Sequence, residues 1–188
     1  MTTTENRLQQ LWEGCLRNER KNQELLYKIL STKMMAVCQR YAADKDEAQD
    51  IMQEGFIKLF KNMHNYRGEG SLEGWIRRIM VHAAISRYRK AKSMVLVDDF
   101  SENTYQLSRS NNGNRLEAAD LLKMIQTLPD TYRSVFNMYA IEGYSHQEIG
   151  DTLGMSELLS RTTLHRARTI LKDKIRKMNI AEQHCMAC

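Results

Sequence analysis

The chain of 188 residues carries 28 Lys+Arg against 23 Asp+Glu, a formal charge of +5, with 42% hydrophobic residues, nine glycines and one proline. So few breakers favour helices over strands, and the length suits one larger domain or two compact ones. No apolar run approaches the roughly 18 residues of a membrane span and no basic-then-apolar leader opens the chain, so the expectation is a soluble, non-exported protein.

Four cysteines are too few for a disulfide scaffold in a reducing compartment. Cys15 and Cys38 fall within helical patterns and read as small buried hydrophobes. Next along the chain, Leu26, Ile29, Leu30, Met34 and Val37 recur at helical spacing. Asp44 opens a capping box with Glu47. The helix that follows carries Ala48, Met52, Phe56, Leu59 and Met63 on one stripe. Asp46, Asp50 and Glu54 stand one turn apart on another, with Gln53 beside them. From Asp44 to Glu54 there are five acids and one base. Such a face is open to three readings: a solvated surface, a metal site that lacks a histidine, or a seat for a basic partner.

The loop NYRGEGS comes next, with Ser71 as N-cap of a helix from Leu72 to Arg89. Apolar residues lie on several sides of that helix (Trp75, Ile76, Ile79, Met80, Ala83, Ile85, Tyr88), which places it centrally in a bundle with a basic ridge outward. Between Tyr66 and Lys92 seven bases face two acids. Tyr66, Trp75, His82 and Tyr88 interleave with arginines, a composition that stacks bases and tracks single-strand phosphates. Trp75 and Tyr88 read equally well as core.

Residues 101–114, SENTYQLSRSNNGN, show no helical period and read as linker. The division expected is 1–96 and 115–178 as folded units, 97–114 as a flexible linker and 179–188 as a tail. In the second unit Leu121, Met124, Ile125 and Leu128 form a short amphipathic helix. Pro129 sits in the first turn of the next, whose expected inner face is Val135, Phe136, Tyr139 and Ala140 and whose end is Gly143.

Residues 145–168 read SHQEIGDTLGMSELLSRTTLHRAR. Ser145 and Glu148 form a second capping box, Ile149 and Leu153 face inward, and Gly154 falls where a left-handed turn favours glycine. Gly150 is small where two helices cross, and Ser156 caps a second helix. This is a helix-turn-helix, whose second helix enters the major groove. An ordinary helical hairpin with a solvated basic face shares the spacing. From Arg161 to Lys177 seven bases face one acid, so two basic stretches are available to one polyanion. His184, Cys185 and Cys188 lack a fourth ligand, and no metal or cofactor is expected. With no G-x-S-x-G, no phosphate-binding glycine loop and no H-E-x-x-H, neither is catalysis.

Three strings, ELLYKILSTKMMAVCQRYAADKDEAQDIMQEGFIKLF, YRGEGSLEGWIRRIMVHAAISRYRK and LPDTYRSVFNMYAIEGYSHQEIGDTLGMSE, together resemble the extracytoplasmic-function (ECF, group IV) sigma factors of bacterial RNA polymerase, in particular those of Bacteroides-type bacteria. The resemblance implies an all-α protein with a sigma domain 2 bundle, a flexible linker and a sigma domain 4 helix-turn-helix. It implies that Asp50, Gln53 and Glu54 dock on the clamp helices of the polymerase β′ subunit. Tyr66, Arg67, Trp75, Arg77, Arg78, His82 and Arg87 would then open and read the −10 element. Ser156, Arg161, Thr162, Thr163, His165, Arg166 and Arg168 would read the −35 element as duplex. The implied setting is the bacterial cytoplasm, with core polymerase and promoter DNA as partners. An anti-sigma factor, of a kind often anchored in the inner membrane, would complete them.

The chain departs from the family's pattern in places. His82 and Ser86 stand where Asn and Asp are common, and Leu158 and Leu159 replace the Gly and Thr of a common S-E-G-T. The leucines favour the helix, by roughly 0.8–1 kcal/mol at the Gly position. They remove a close backbone approach and a hydroxyl, which is expected to weaken −35 contact. The alternatives are a stand-alone helix-turn-helix regulator that needs no polymerase, which leaves the acidic face unexplained, and a helical adaptor whose basic stretches contact an acidic protein, which predicts no steep salt dependence.

Overall fold

The computed structural model describes residues 3–94 and 118–185, whose regular elements are all helical. The linker expected at 97–114, Cys188, and the side chains of His184 and Cys185 lie outside the described residues. The chain divides between Arg87 and Tyr88 into two compact units.

The first unit begins with α1 (Thr3–Leu16), of which the sequence reading placed only Cys15 in a helical pattern. Its Leu8, Leu11, Trp12 and Cys15 recur at helical spacing and are buried. α2 (Arg20–Tyr41) buries Leu26, Leu30, Met34, Val37 and Cys38, as its periodicity requires. Burial pushes the Cys38 thiol up to about 12, so it stays a neutral apolar filler. α3 (Lys45–Lys61) starts where Asp44 Oδ1 accepts the Glu47 N–H at 2.8 Å. The Glu47 carboxylate accepts from Ala43 N–H at 2.7 Å, one residue before the cap, so the reciprocal half of the expected box is displaced. The expected stripe of Ala48, Met52, Phe56, Leu59 and Met63 is buried throughout.

After a 3-10 turn at Met63–Asn65, α4 (Leu72–Met94) starts with the Gly74 N–H donating to Ser71 Oγ at 3.0 Å. Leu72, Ile76, Met80, Val81, Ala83, Ala84 and Ile85 are buried, which makes it the central helix of this unit. Gly55 lets α3 close on it: a Cβ there would stand 2.2 Å from Met80 Sδ.

The second unit holds α5 (Ala118–Gln126), α6 (Asp130–Ala140), α7 (His146–Leu153) and α8 (Glu157–Cys185). Met124 and Leu128 pack with Ala167 and Leu171 of α8. Pro129 caps α6 rather than entering its first turn. The inner face of α6 is Val135 and Met138 with Ser134 and Asn137, while Tyr139 and Ala140 are exposed. Of the expected face Val135 is buried and Phe136 packs half-buried against the core, while Arg133 is turned inward. Its guanidinium is buried and donates to the carbonyl of Gln126 at 2.8 Å, and it pairs with Asp130 at 2.5 Å, closing the end of α5 onto α6. Both halves of the Ser145–Glu148 capping box are formed. Gly154 adopts φ 68°, and a Cβ on Gly150 would lie 2.6 Å from the Met155 carbonyl oxygen, so the turn admits no side chain at that position.

Candidate functional site

Three surfaces carry the candidate residues. The first is the acidic face of α3. Asp46, Asp50 and Gln53 are exposed there and Glu54 is half-buried. The face is not bare: Arg87 of α4 lies against it, 3.1 Å from Asp50, 3.6 Å from Glu47 and 3.7 Å from Glu54. One guanidinium thus serves three carboxylates, the arrangement that its planar fork of donors permits.

The second surface is the loop before α4. Gly68 and Gly70 take φ of 77° and 80°, and the Tyr66 hydroxyl donates to the Gly70 carbonyl at 2.9 Å, which closes the loop on itself. Beneath it, the Tyr66 ring meets Trp75 at 5.3 Å and Trp12 at 5.8 Å, and the two tryptophans meet at 5.6 Å. Tyr66 and Trp75 are half-buried, so each leaves part of its surface to solvent. Trp12 is the member that sequence reading missed, although the spacing of Leu8, Leu11, Trp12 and Cys15 was there to find. Lys33 of α2 pairs with Glu73 at 2.8 Å and fixes the entry to α4. Arg67 and Arg78 are exposed, and Arg77 is half-buried. His82 stands one turn beyond Arg78. Desolvation of its ring, then the positive charges of Arg78 and Lys58, hold its pKa below the usual histidine value. The structure gathers Tyr66, Trp75 and their loop, but puts Arg87 with the acidic face instead.

The third surface is α8. Ser156 Oγ accepts the Leu159 N–H at 3.1 Å, so this serine is a cap. Ser160, Thr163, Leu164, Ala167 and Leu171 form the inward stripe. Thr163, expected at DNA, is only 4% exposed and belongs to that stripe, because it falls three residues after Ser160 and four before Ala167. Arg161, Thr162, His165, Arg166 and Arg168 are all exposed. Arg161 Nε donates to Glu157 Oε1 at 3.2 Å and Thr162 Oγ1 to the Leu158 carbonyl at 2.9 Å. The Arg168 guanidinium lies 5.5 Å over the Tyr139 ring, which stacks on His146 at 4.4 Å. His146 Nδ1 in turn is 2.9 Å from Ser160 Oγ, tying α7 to α8. Desolvation, with Arg161 and Arg168 opposing and Glu157 favouring the charged form, lowers the His146 pKa.

Among the described residues no group of His, Cys, Asp and Glu is arranged to hold a metal ion, and no helix is long and apolar enough to cross a membrane. The candidate surfaces are thus one acidic face, one aromatic loop flanked by arginines and one basic helix that follows a tight turn.

Comparison with known proteins accords with that division. Residues 26–94 match the model of sigma-70 region 2 and residues 118–171 that of sigma-70 region 4. The chain is 31% identical over 150 residues to the ECF RNA polymerase sigma factor SigE of Mycolicibacterium smegmatis, covering 73% of this chain and 55% of that one. It is 28% identical to the RNA polymerase sigma-H factor of Pseudomonas aeruginosa, covering 88% of this chain and 92% of the relative. In fold it resembles the sigma factor RpoE of Bartonella quintana, solved in complex with the anti-sigma factor NepR. The TM-score is 0.50 at 16% identity, over 81% of this chain and 96% of that one.

Proposed function

The chain belongs to the ECF group of the sigma-70 family and directs promoter recognition by RNA polymerase, and from that premise we propose how its residues divide the work. Like the family, it does no covalent chemistry; nucleotide transfer stays with the polymerase. Residues 1–96 act as domain 2 and 115–178 as domain 4, with 97–114 as linker and 179–188 as tail.

Asp50, Gln53 and Glu54 dock on the basic clamp helices of β′. Complementary charge of this kind raises the rate of encounter and fixes register. Tyr66, Arg67, Trp75, Arg77, Arg78 and His82 open the −10 element. Unstacking a base costs a few kcal/mol, and an aromatic edge already held by Trp12 can take the base without being ordered first. Arg87 serves the acidic face rather than the DNA. Arg161, Thr162, His165, Arg166 and Arg168 meet the −35 duplex, Ser156 starts their helix, and Thr163 holds it to its neighbours. The protein works in the bacterial cytoplasm, belongs to the Bacteroides-type subgroup, and is held inactive by an anti-sigma factor, of a kind often membrane-anchored.

The observation that carries this reading is the exposed run Arg161, His165, Arg166 and Arg168 on the second helix of a helix-turn-helix. Arg166→Ala tests it. Duplex promoter binding by the holoenzyme should weaken, with the slope of log K against log salt reduced by roughly 0.9, while polymerase binding is retained. Loss of both together would contradict the assignment of α8.

A further inference from the structure

The first turn of α8 presents two large apolar side chains to solvent, Leu158 at 73% exposed and Leu159 at 51%. They stand out because the rest of the helix obeys the usual sorting: its apolar residues Leu164, Ala167 and Leu171 are buried, and its outer face is basic. Bare leucines on a basic helix are not explained by the fold, since the inward stripe begins at Ser160. We propose that Leu158 and Leu159 read the −35 duplex by apolar contact with thymine C5-methyl groups. This rests on the promoter-recognition reading above and adds which base that helix selects.

The N-terminal residues of a recognition helix are those that reach base edges in the major groove. Only thymine offers a methyl group there; the other bases offer donors and acceptors. The polar side chains of this turn already have partners within the helix. Glu157 holds Arg161, the Thr162 hydroxyl hydrogen goes to the Leu158 carbonyl, and Ser156 Oγ takes the Leu159 N–H. Leu158 and Leu159 are the hydrocarbon part of the contact surface at the tip, beside the exposed Arg161 and Thr162. Phosphate contacts come from Arg166 and Arg168 further along, which seat the helix without specifying sequence. The weakening expected from the loss of Gly and Thr concerns close approach of the backbone and the lost hydroxyl. The leucines exchange part of that general affinity for sequence preference.

The experiment uses the full-length chain assembled with core polymerase and a pool of promoter duplexes randomised across the −35 region. Thymine should be enriched at adjacent positions. Replacing each enriched thymine by deoxyuridine, which removes only the methyl, should weaken binding by about fourfold, the factor equivalent to burying one such carbon at about 0.8 kcal/mol. In the double variant Leu158→Ala, Leu159→Ala the thymine and deoxyuridine duplexes should bind alike. Alanine favours the helix at both surface positions, and unchanged polymerase binding and helicity verify that the variant is folded. Equal binding of thymine and deoxyuridine by wild type would overturn the proposal, as would an undiminished methyl effect in the variant. A holoenzyme that enriches no −35 sequence at all would instead overturn the promoter-recognition reading of α8.

Discussion

Arg87 Nη2 lies 3.1 Å from Asp50 Oδ2, joining α4 to the acidic face of α3. Glu47 and Glu54 complete the set at 3.6 and 3.7 Å. Arg87 lowers the net negative charge of the face on which polymerase docking is proposed, and it holds Asp50 and Glu54 in place. The Arg87 and Asp50 side chains are 35% and 57% exposed, so water screens the pairing and its stability contribution is within about 1 kcal/mol.

Arg87→Ala is accordingly expected to cost no more than about 1 kcal/mol of stability while making the face more negative. Association with core polymerase should become faster at low salt and the advantage should vanish as ionic strength rises. Stopped-flow association at two salt concentrations measures this. A slower association at both would show that holding the carboxylates in place outweighs their charge.

Gly150 and Gly55 make a matched pair. At Gly150 an added Cβ meets the backbone oxygen of Met155 at 2.6 Å, whereas at Gly55 it meets the flexible thioether of Met80. Overpacking costs typically 1–3 kcal/mol, against about 1 kcal/mol gained from helix propensity. Gly150→Ala should be destabilising and should weaken duplex binding with polymerase binding retained. Gly55→Ala should be milder, because a methionine can rotate away. Thermal melts of the two variants decide; equal losses would mean that the turn after α7 has room to shift.

Arg133→Met keeps the apolar stem and removes the guanidinium that donates to Gln126 and pairs with Asp130. Lost hydrogen bonds to a charged group are worth about 1.5–3 kcal/mol, and Asp130 is largely exposed, so about 2 kcal/mol is expected. The denaturant midpoint should fall with the slope unchanged. A neutral result would place the cap of α5 elsewhere.

The lowered pKa of His146 sets a pH dependence. Its ring is desolvated between Tyr139 and Ser160, with Arg161 and Arg168 disfavouring its charge and Glu157 only partly offsetting them. Its folded pKa lies below the unfolded value near 6.5, so the unfolded chain binds the proton first as pH falls. The contribution is present above that pH and is lost as pH drops through the folded pKa. Urea midpoints from pH 7.5 down to about pH 5 should fall more steeply for wild type than for His146→Gln. Parallel curves would remove His146 as the source.

Much of this was legible from local sequence. The Ser145–Glu148 box, the left-handed Gly154, the small Gly150 and the core stripes of α2 and α3 depend on residues within a turn or two of each other. Where partners are distant, local spacing does not show the contact. Arg87 sits in a basic run and looked like a DNA contact; only the packing of α3 on α4 brings it to Asp50. Arg133 was invisible for the same reason, since a buried arginine is defined by the carbonyls that it meets. Thr163 is different: its spacing from Ser160 and Ala167 marked it as inward, and a count of helical faces would have found it. Trp12 was missed because α1 lies before the first residues that resembled anything.

The central claim is that the α3 face binds polymerase, and its most direct test is a pull-down of bacterial core RNA polymerase by wild type and by the double variant Asp50→Lys, Glu54→Lys. Both positions are at the surface, and the reversed charges would meet Arg87 and the basic clamp alike with repulsion. Wild type should capture the polymerase and the variant should not, with duplex binding by domain 4 retained. Capture by both, or by neither while wild type still binds duplex DNA, would contradict the account.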